Sequence, residues 1–339
     1  HGSTVATNAL LERRGARTAL VTTSGFEDVL EIGRQTRTQI YDLNVDKAPP
    51  LVPGDLRLGV KERVGYDGGV IEPIDKESLG AFVEQLGALD AESIAVCLLH
   101  AYANPAHERA ILEALEGETD AFVTASHMVL PEFREYERCS TTVVNAYVGP
   151  VVSRYLDLLA KELDADSVRI MQSNGGLISV GAAQQYAVQT VLSGPAGGAV
   201  GGFEIASRAC FDHVITFDMG GTSTDVSLCP GELSRTNEAV IGEAPIRVPV
   251  IDVHTVGAGG GSIAYRDPGG SLRVGPRSAG AVPGPICYQR GGTELTVTDA
   301  NLFLGRLSPE HFLGGKQKLP LDQVRSSMET FASEMSLTP

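Results

Sequence analysis

The residues whose types and spacing point most directly to chemistry are gathered in one short stretch, DMGGTSTD at 218–225. Ahead of it, Val214-Ile215-Thr216-Phe217 has the β-branched content of a buried strand, and Val226-Ser227-Leu228-Cys229 predicts a returning strand, so the stretch is a tight hairpin turn. Two adjacent glycines, Gly220 and Gly221, permit positive φ and carry no Cβ. Backbone N–H groups can then converge on an anion at close range without a lysine. Asp218 would stand at the mouth of the turn, where a carboxylate holds Mg²⁺ through its water shell, with Asp225 as a second, supporting carboxylate. Gly-Gly serves hairpin geometry alone just as well. The acids and hydroxyls around it, Asp218, Thr222, Thr224 and Asp225, favour phosphate binding.

Two other glycine-bearing stretches are candidates. Ser193-Gly194-Pro195 reads as a strand-to-helix turn after a strand at Thr190-Val191-Leu192, and the free N–H groups of a helix start attract anions. Close helix packing explains these glycines equally well. Gly257, Gly259 and Gly260 follow an apolar strand at 248–253, but no long helix comes next, so the dinucleotide fingerprint is not matched. Asp252 and His254 lie two apart on that strand and therefore point to one side, where they can bind a divalent metal or pass a proton; a packed pair satisfied by backbone is the equal alternative. His100 and His107, seven apart, lack an acid at ligand spacing and read as structural.

The elements that position these groups follow an α/β rhythm. Residues 3–14 predict a helix stopped at Gly15, ARTALVTT a strand, and FEDVLEIGR a short helix. Strand, turn and helix in succession place side chains at a carboxyl strand edge, where such sheets bind ligands. His1, Arg34 and Arg37 lie near that edge, within reach of an anionic or amide substrate, although solvated surface arginines are the plainer reading. Residues 56–74 predict a hairpin turning at Tyr66-Asp67-Gly68-Gly69, followed by a helix at 75–88 and strands at 93–99 and 121–126. From 140 to 163 the spacing predicts an amphipathic helix, broken near Gly149-Pro150. Glu132, Arg134, Glu135 and Arg138 precede it as an ion-paired face, a substrate role being the lesser alternative. A soft domain boundary falls near 165. Residues 296–306 run into a further helix and 319–337 predict another.

At 339 residues the chain has room for two domains. A net charge of −15 argues against unaided binding to nucleic acid or an anionic membrane. No apolar run approaches about 18 residues, so a membrane span is not expected. The five cysteines are scattered and odd in number, which predicts buried free thiols in a reducing cytoplasm.

DMGGTSTD resembles the second phosphate loop of the actin-like ATPase superfamily, the duplicated ribonuclease H-like fold of sugar kinases, actin and heat-shock chaperone ATPases. More narrowly, the chain is similar to the hydantoinase A/5-oxoprolinase (N-methylhydantoinase A-like) family, also met as the nucleotide-binding subunit of acetone and acetophenone carboxylases. HGSTVATNALLERRGARTALVTTSGFEDVLEIGRQ at 1–35, LPEFREYERCSTTVVNAYVGP at 130–150, SNGGL, SGPAGGAVGG, DVHTVGAGGGSIA, PGPICYQRGG and VTDANLFLGRL carry the likeness. The resemblance implies an α/β fold of two domains flanking a nucleotide cleft, 1–165 of N-terminal type and 166–339 of ATPase type. It also implies a chain incomplete at both ends, lacking a first strand and phosphate loop and a later adenosine loop. The implied activity is ATP- and Mg²⁺-dependent hydrolysis of a cyclic amide (a hydantoin, N-methylhydantoin, 5-oxoproline or another lactam). Gly220, Gly221, Thr222 and Thr224 would hold phosphate, joined by Ser193, Gly194, Gly257, Gly259 and Gly260, with Asp218 on metal or water. A hydantoinase B-type partner and an oligomer are expected. The alternatives are the ATP-binding subunit of an acetone-type carboxylase and an inactive nucleotide-binding remnant.

Overall fold

The computed structural model describes residues 1–36, 41, 44, 48–163 and 167–337. Arg37 lies outside them. The chain forms two compact units, one of His1–Val200 with Arg235–Ile251 and one of Gly201–Ser234 with Asp252–Pro339. The compact units therefore divide within the helix Ser193–Arg208 rather than near 165. The long helix Glu135–Glu162 and the segment after it pack into the first unit through one shared core containing Val144, Val148, Val152, Ile170 and Val188.

In the first unit Thr18–Thr23 and Ser93–Cys97 are buried along their whole length, as near-continuous apolar strands of a covered parallel sheet should be. They pair in parallel with Arg57–Val60 on one side and Phe122–Ala125 on the other, in the order Arg57–Val60, Thr18–Thr23, Ser93–Cys97, Phe122–Ala125. Alternation sends Ala19, Val21, Ile94 and Val96 to one face, against Leu79 and Leu86 of the helix Lys76–Gly87 and Ile111 and Leu115 of the helix Ala106–Leu115. Leu20, Ala95 and Cys97 meet Cys139, Val143 and Ala146 of the long helix on the other face. Asp75 caps Lys76–Gly87 by accepting from the Glu77 and Ser78 N–H groups at 3.3 and 3.1 Å.

Several local expectations change. The 56–74 hairpin is shorter: Arg57–Val60 leaves it for the parallel sheet, and only Arg63–Val64 pairs with Val70–Glu72, across a turn with Gly68 at φ +83°. No strand forms at 190–192. Ala187–Thr190 is a 3₁₀ turn, and the helix Ser193–Arg208 starts directly after Leu192 at φ +62°. The long helix runs unbroken through Pro150 for 28 residues. Proline lacks one N–H, and here the buried neighbours Val148, Gly149 and Val152 hold the turn that this missing bond would loosen. Its first half is not amphipathic either, since every residue from Glu137 to Gly149 is buried between the sheet and a second apolar cluster.

The expected ion pairing is present for Glu135 and Arg138, and that burial draws it into the protein. The Arg138 side chain is fully buried, its Nη2 bonded to the Leu98 carbonyl at 2.7 Å and to Glu135, its Nη1 to Ser126. Next to it the buried Glu108 carboxylate accepts from Leu98 N–H (2.9 Å), Ser126 Oγ (2.6 Å) and His127 N–H (2.9 Å), and sits 2.6 Å from His127 Nδ1. This network ties together the carboxyl ends of two parallel strands and the start of the long helix. Glu132 instead pairs with Arg247 at 3.2 Å, and Arg134 stands just before the helix at φ +82°.

The second unit is built on a three-stranded antiparallel sheet in the order His254–Val256, Thr224–Pro230, His213–Met219. The helix from Gly201 onward covers one face: a Cβ on Gly202 would lie 3.1 Å from Thr216 Cγ2. The expected burial of 214–217 is only half met, because Ile215 and Phe217 on the opposite face are 67% and 65% exposed. An apolar run of this length forms a strand wherever it is paired; what covers its second face is a tertiary matter. A separate cluster, Ile286, Cys287, Leu302 and Val324, joins the helices Val297–Phe303 and Leu321–Glu334. All five cysteines are free, and Cys210, unlike the other four, is exposed.

Replacing Glu108 with alanine leaves its four donors unpaired and removes a carboxylate 3.9 Å from buried Arg138. Loss of one member of such a buried set costs about 3–5 kcal/mol. Urea denaturation followed by far-UV circular dichroism, suited to a chain without tryptophan, should show that loss. A change below about 1 kcal/mol would contradict the network's structural role.

Candidate active site: a glycine-buttressed turn

The strands His213–Met219 and Thr224–Pro230 put Met219 opposite Thr224 and Asp218 opposite Asp225, leaving Gly220–Ser223 as the turn. Gly220 N–H closes the turn on the Ser223 carbonyl at 2.9 Å. Neither glycine adopts positive φ, so conformational licence is not their purpose here. Space is: a Cβ on Gly221 would meet no atom within 4 Å, which leaves its surface open to an approaching group.

A second glycine segment fixes the turn from behind. Gly260 N–H donates to Gly220 O at 2.9 Å and Gly261 N–H to Gly221 O at 2.6 Å. Gly260 O in turn accepts from Thr298 N–H and Oγ1 at 2.7 and 2.8 Å, which links the turn to the start of the helix Val297–Phe303. That helix start is itself held by a capping box, with Thr296 Oγ1 and Asp299 exchanging bonds and the buried Asp299 carboxylate also accepting from Ile286 and Cys287 N–H. Burial, and then the charge of Asp299, push the Cys287 thiol upward, so it stays protonated.

The consequence for the turn follows from peptide geometry. In a trans peptide the N–H points opposite to the C=O that shares its plane. With the Gly220 and Gly221 carbonyls drawn toward the glycine segment, the N–H groups of Gly221 and Thr222 are turned away from it. Those two N–H groups and that of Ser223 make no hydrogen bond among the described residues. The hydroxyls of Thr222 and Ser223 are likewise without partners there. Successive unpaired N–H groups at an exposed turn form a concavity that receives anions.

Beside it stand the two carboxylates. Asp218 is exposed, and Asp225 accepts a 2.6 Å bond from Thr255 Oγ1. Like charges directly opposite on neighbouring strands repel, and among the described residues neither has a cationic partner. A divalent cation shared with phosphate oxygens fits such a pair, since Mg²⁺ keeps much of its water and needs only one or two protein carboxylates. Among the described residues no three His, Cys, Asp or Glu side chains converge as an all-protein metal site.

The remaining candidates fall into place around this geometry. Thr224 is buried with its hydroxyl given to the Ala258 carbonyl, and Gly259 N–H goes to Ser262 Oγ at 2.8 Å, so Thr224, Gly259 and Gly260 support the turn instead of facing a ligand. Gly257 begins the same segment. His254 pairs in register with Val226, one position out of step with Thr255 opposite Asp225, so it faces away from the carboxylate pair; Asp252 precedes the strand. The structure does not gather these two with Asp218. In the other unit, Ser193 Oγ donates to Ser3 O at 3.0 Å and accepts from Ser3 N–H at 3.2 Å, and a Cβ on Gly194 would lie 3.2 Å from Thr4 Cγ2, so that helix start is closed by the segment at Ser3-Thr4. His1 Nε2 shares a 2.7 Å bond with Tyr155 Oη. His107 Nδ1 lies 2.6 Å from Glu62, an acid 45 residues distant that no local spacing reveals. Ser223 carries no signal of its own in the sequence; only the hydrogen-bond pattern of the folded turn shows that its N–H is unpaired among the described residues.

A parallel sheet layered with helices, joined to a unit whose antiparallel hairpin ends in an acid-and-glycine turn, defines an α/β protein of the actin-like ATPase type. The crystal structure of ATP-dependent caprolactamase from Pseudomonas jessenii matches with a TM-score of 0.82 at 40% identity, covering 99% of this chain and 50% of that one. A nucleotide-free acetone carboxylase structure matches with a TM-score of 0.75 at 30% identity over the same shares. The hydantoinase/oxoprolinase family model matches residues 138–339, and the model of the hydantoinase/oxoprolinase N-terminal region matches 1–119. The chain belongs to the hydantoinase/oxoprolinase family. Caprolactamase subunit alpha of Pseudomonas jessenii is 43% identical over 342 residues, 97% of this chain and 49% of that protein. The 5-oxoprolinase of Saccharomyces cerevisiae is 39% identical over 348 residues, 92% of this chain and 26% of that protein. The chain thus spans about half the length of the first of these relatives and about a quarter of the second.

Two glycine substitutions separate support from contact. A Cβ on Gly259 would lie 2.8 Å from Gly220 O, Gly221 C and Ser223 N, all backbone, so Gly259→Ala must displace the turn. Amide hydrogen exchange across 218–225 should quicken at least several-fold in Gly259→Ala and remain unchanged in Gly221→Ala.

Proposed function

We propose that this chain carries the nucleotide-phosphate site of an ATP-dependent enzyme acting on cyclic amides. The observation that carries the reading is the two N–H groups of Gly221 and Thr222, turned away from the glycine segment, with the unpaired N–H of Ser223 following them, beside the Asp218–Asp225 pair. When bound, MgATP supplies a phosphoryl group whose transfer to an amide oxygen makes a leaving group of that oxygen and exposes the ring carbon to water. The protein's own part is positional and electrostatic. The turn's N–H groups, held by the glycine segment, are already oriented toward negative charge and need no reorganisation as it develops. The Thr222 and Ser223 hydroxyls add donors to the same anion. Asp218 holds the cation on its exposed side, and Asp225, steadied by Thr255, supports it.

The substrate class rests on the relatives: 5-oxoprolinase and caprolactamase both act on cyclic amides by name, and caprolactamase is described as ATP-dependent. Caprolactamase subunit alpha is named as one subunit of an assembly, and a second, hydantoinase B-type subunit or domain is proposed here as the hydrolytic partner. The likeness to acetone carboxylase supports a second reading, in which the same turn serves activation of a ketone and bicarbonate.

Isothermal titration with MgATP tests the site. Gly221→Ala, which disturbs no protein atom, is expected to weaken binding at least tenfold, about 1.4 kcal/mol, because its methyl occupies the anion's approach. Asp218→Asn should weaken MgATP binding by a similar factor while barely changing the affinity for metal-free ATP. Unchanged MgATP affinity in both variants would remove this turn from the nucleotide site. Turnover of ATP stimulated by lactams rather than by acetone and bicarbonate decides between the two substrate readings.

A further inference from the structure

The parallel-sheet unit buries a pair of thiols that the nucleotide site does not use. Cys97 ends the strand Ser93–Cys97, and Cys139 lies in the first turns of the helix Glu135–Glu162. Both belong to the core cluster between sheet and helix, at 3% and 1% exposure. Their flanking residues are clamped together, since Arg138 Nη2 donates to the Leu98 carbonyl at 2.7 Å. Beside that clamp the thiols meet each other. The hydrogen bond with Cys97, and then burial, hold the Cys139 thiol well above its ordinary value. Cys139 therefore keeps its proton and donates, which leaves the Cys97 sulfur as the acceptor.

The Arg138 charge acts on both sulfurs. Its side chain is wholly buried and bonded through Nη1 and Nη2, but Nε has no partner among the described residues. A buried donor left unpaired is costly and uncommon. This one belongs to a guanidinium beside two thiols, the setting that stabilises a sulfur as it takes up negative charge. Tyr136, Ser140 and Val143, which flank Cys139 on the helix, line a cavity of about 530 Å³ and give a small uncharged oxidant an approach. We propose that Cys97 and Cys139 are an oxidisable dithiol, closed to a disulfide by hydrogen peroxide. The Cys97 sulfur attacks one peroxide oxygen: an S–O bond forms, the O–O bond breaks, and the departing hydroxide takes the Cys97 proton and leaves as water. The Cys139 sulfur then attacks the sulfenic sulfur of Cys97. The S–S bond forms, the S–O bond breaks, and hydroxide leaves as water with the Cys139 proton. In sum each sulfur gives up one electron, and the peroxide is reduced to two waters. The new bond ties the strand to the long helix and constrains the unfolded chain.

The test uses the chain carrying Cys210→Ser, which removes the exposed thiol. The folded protein is treated with hydrogen peroxide, alkylated in denaturant, and digested without reductant for mass spectrometry. A cross-linked pair of peptides holding Cys97 and Cys139, lighter by two hydrogens and parted by dithiothreitol, is expected. The midpoint of thermal unfolding should rise by at least about 5 °C and fall back on reduction. Cys139→Ala should stop at the sulfenic acid, trapped on Cys97 by dimedone added with the denaturant, and Cys97→Ala should leave Cys139 a thiol at the same dose. Three results would overturn the inference: no cross-link at a peroxide dose that fully oxidises Cys210 of the wild-type protein, a cross-link that forms only in urea, or sulfenic acid on Cys139 in the Cys97→Ala chain.

Discussion

Two backbone hydrogen bonds, from Gly260 N–H to Gly220 O and from Gly261 N–H to Gly221 O, set the character of the candidate site. Each fixes a carbonyl, and peptide planarity then fixes the N–H on the far side. A loop with the same composition but free carbonyls would sample many orientations and pay to order them when an anion arrived. The cost is met in advance by a chain of contacts running from the Asp299 capping box through Thr298 to the glycine segment. That chain also explains why this region is so rich in glycine. At Gly259, Gly260 and Gly261 a Cβ would come within 2.8 Å of an atom the segment must touch. At Gly221 the same absence opens space outward.

The parallel-sheet unit applies a different solution to the same problem of holding polar groups still. Glu108, Arg138, Ser126 and His127 are taken out of water, and the loss of hydration is offset only because nearly every donor and acceptor finds a partner. The exception is Arg138 Nε, which has none among the described residues. The network sits at the carboxyl ends of the strands, the edge that such sheets use for ligands, yet its members are spent on one another.

Much of the architecture was legible because it depends on local period and on turn chemistry. The β-branched runs at 18–23 and 93–97 announce strands, and the DMGGTSTD stretch announces a hairpin with acids at its mouth. The family likeness was equally legible, since it resides in long contiguous segments. The misreadings share one cause. Pro150 breaks an isolated helix but not this packed one, and Arg57–Val60 looks like half of a hairpin until a parallel neighbour claims it. In each case contacts distant in the chain outweigh a preference of about 1–3 kcal/mol set by the local residue.

What the amino-acid order determined by itself is which groups are available at the site: two carboxylates, two glycines and three hydroxyls within one bend, because a tight turn brings neighbours in sequence together in space. What only the tertiary structure decided is which of them are free. Thr224, Gly259 and Gly260 belong to the same motif-rich stretches as Gly221 and Thr222, but their donors are consumed by Ala258, Ser262 and Gly220, while Ser223, which drew no notice in the sequence, keeps its N–H. A hydrogen-bonding group has a capacity that is written in its covalent structure and an occupancy that depends on partners tens of residues away, and function lies in the difference between the two.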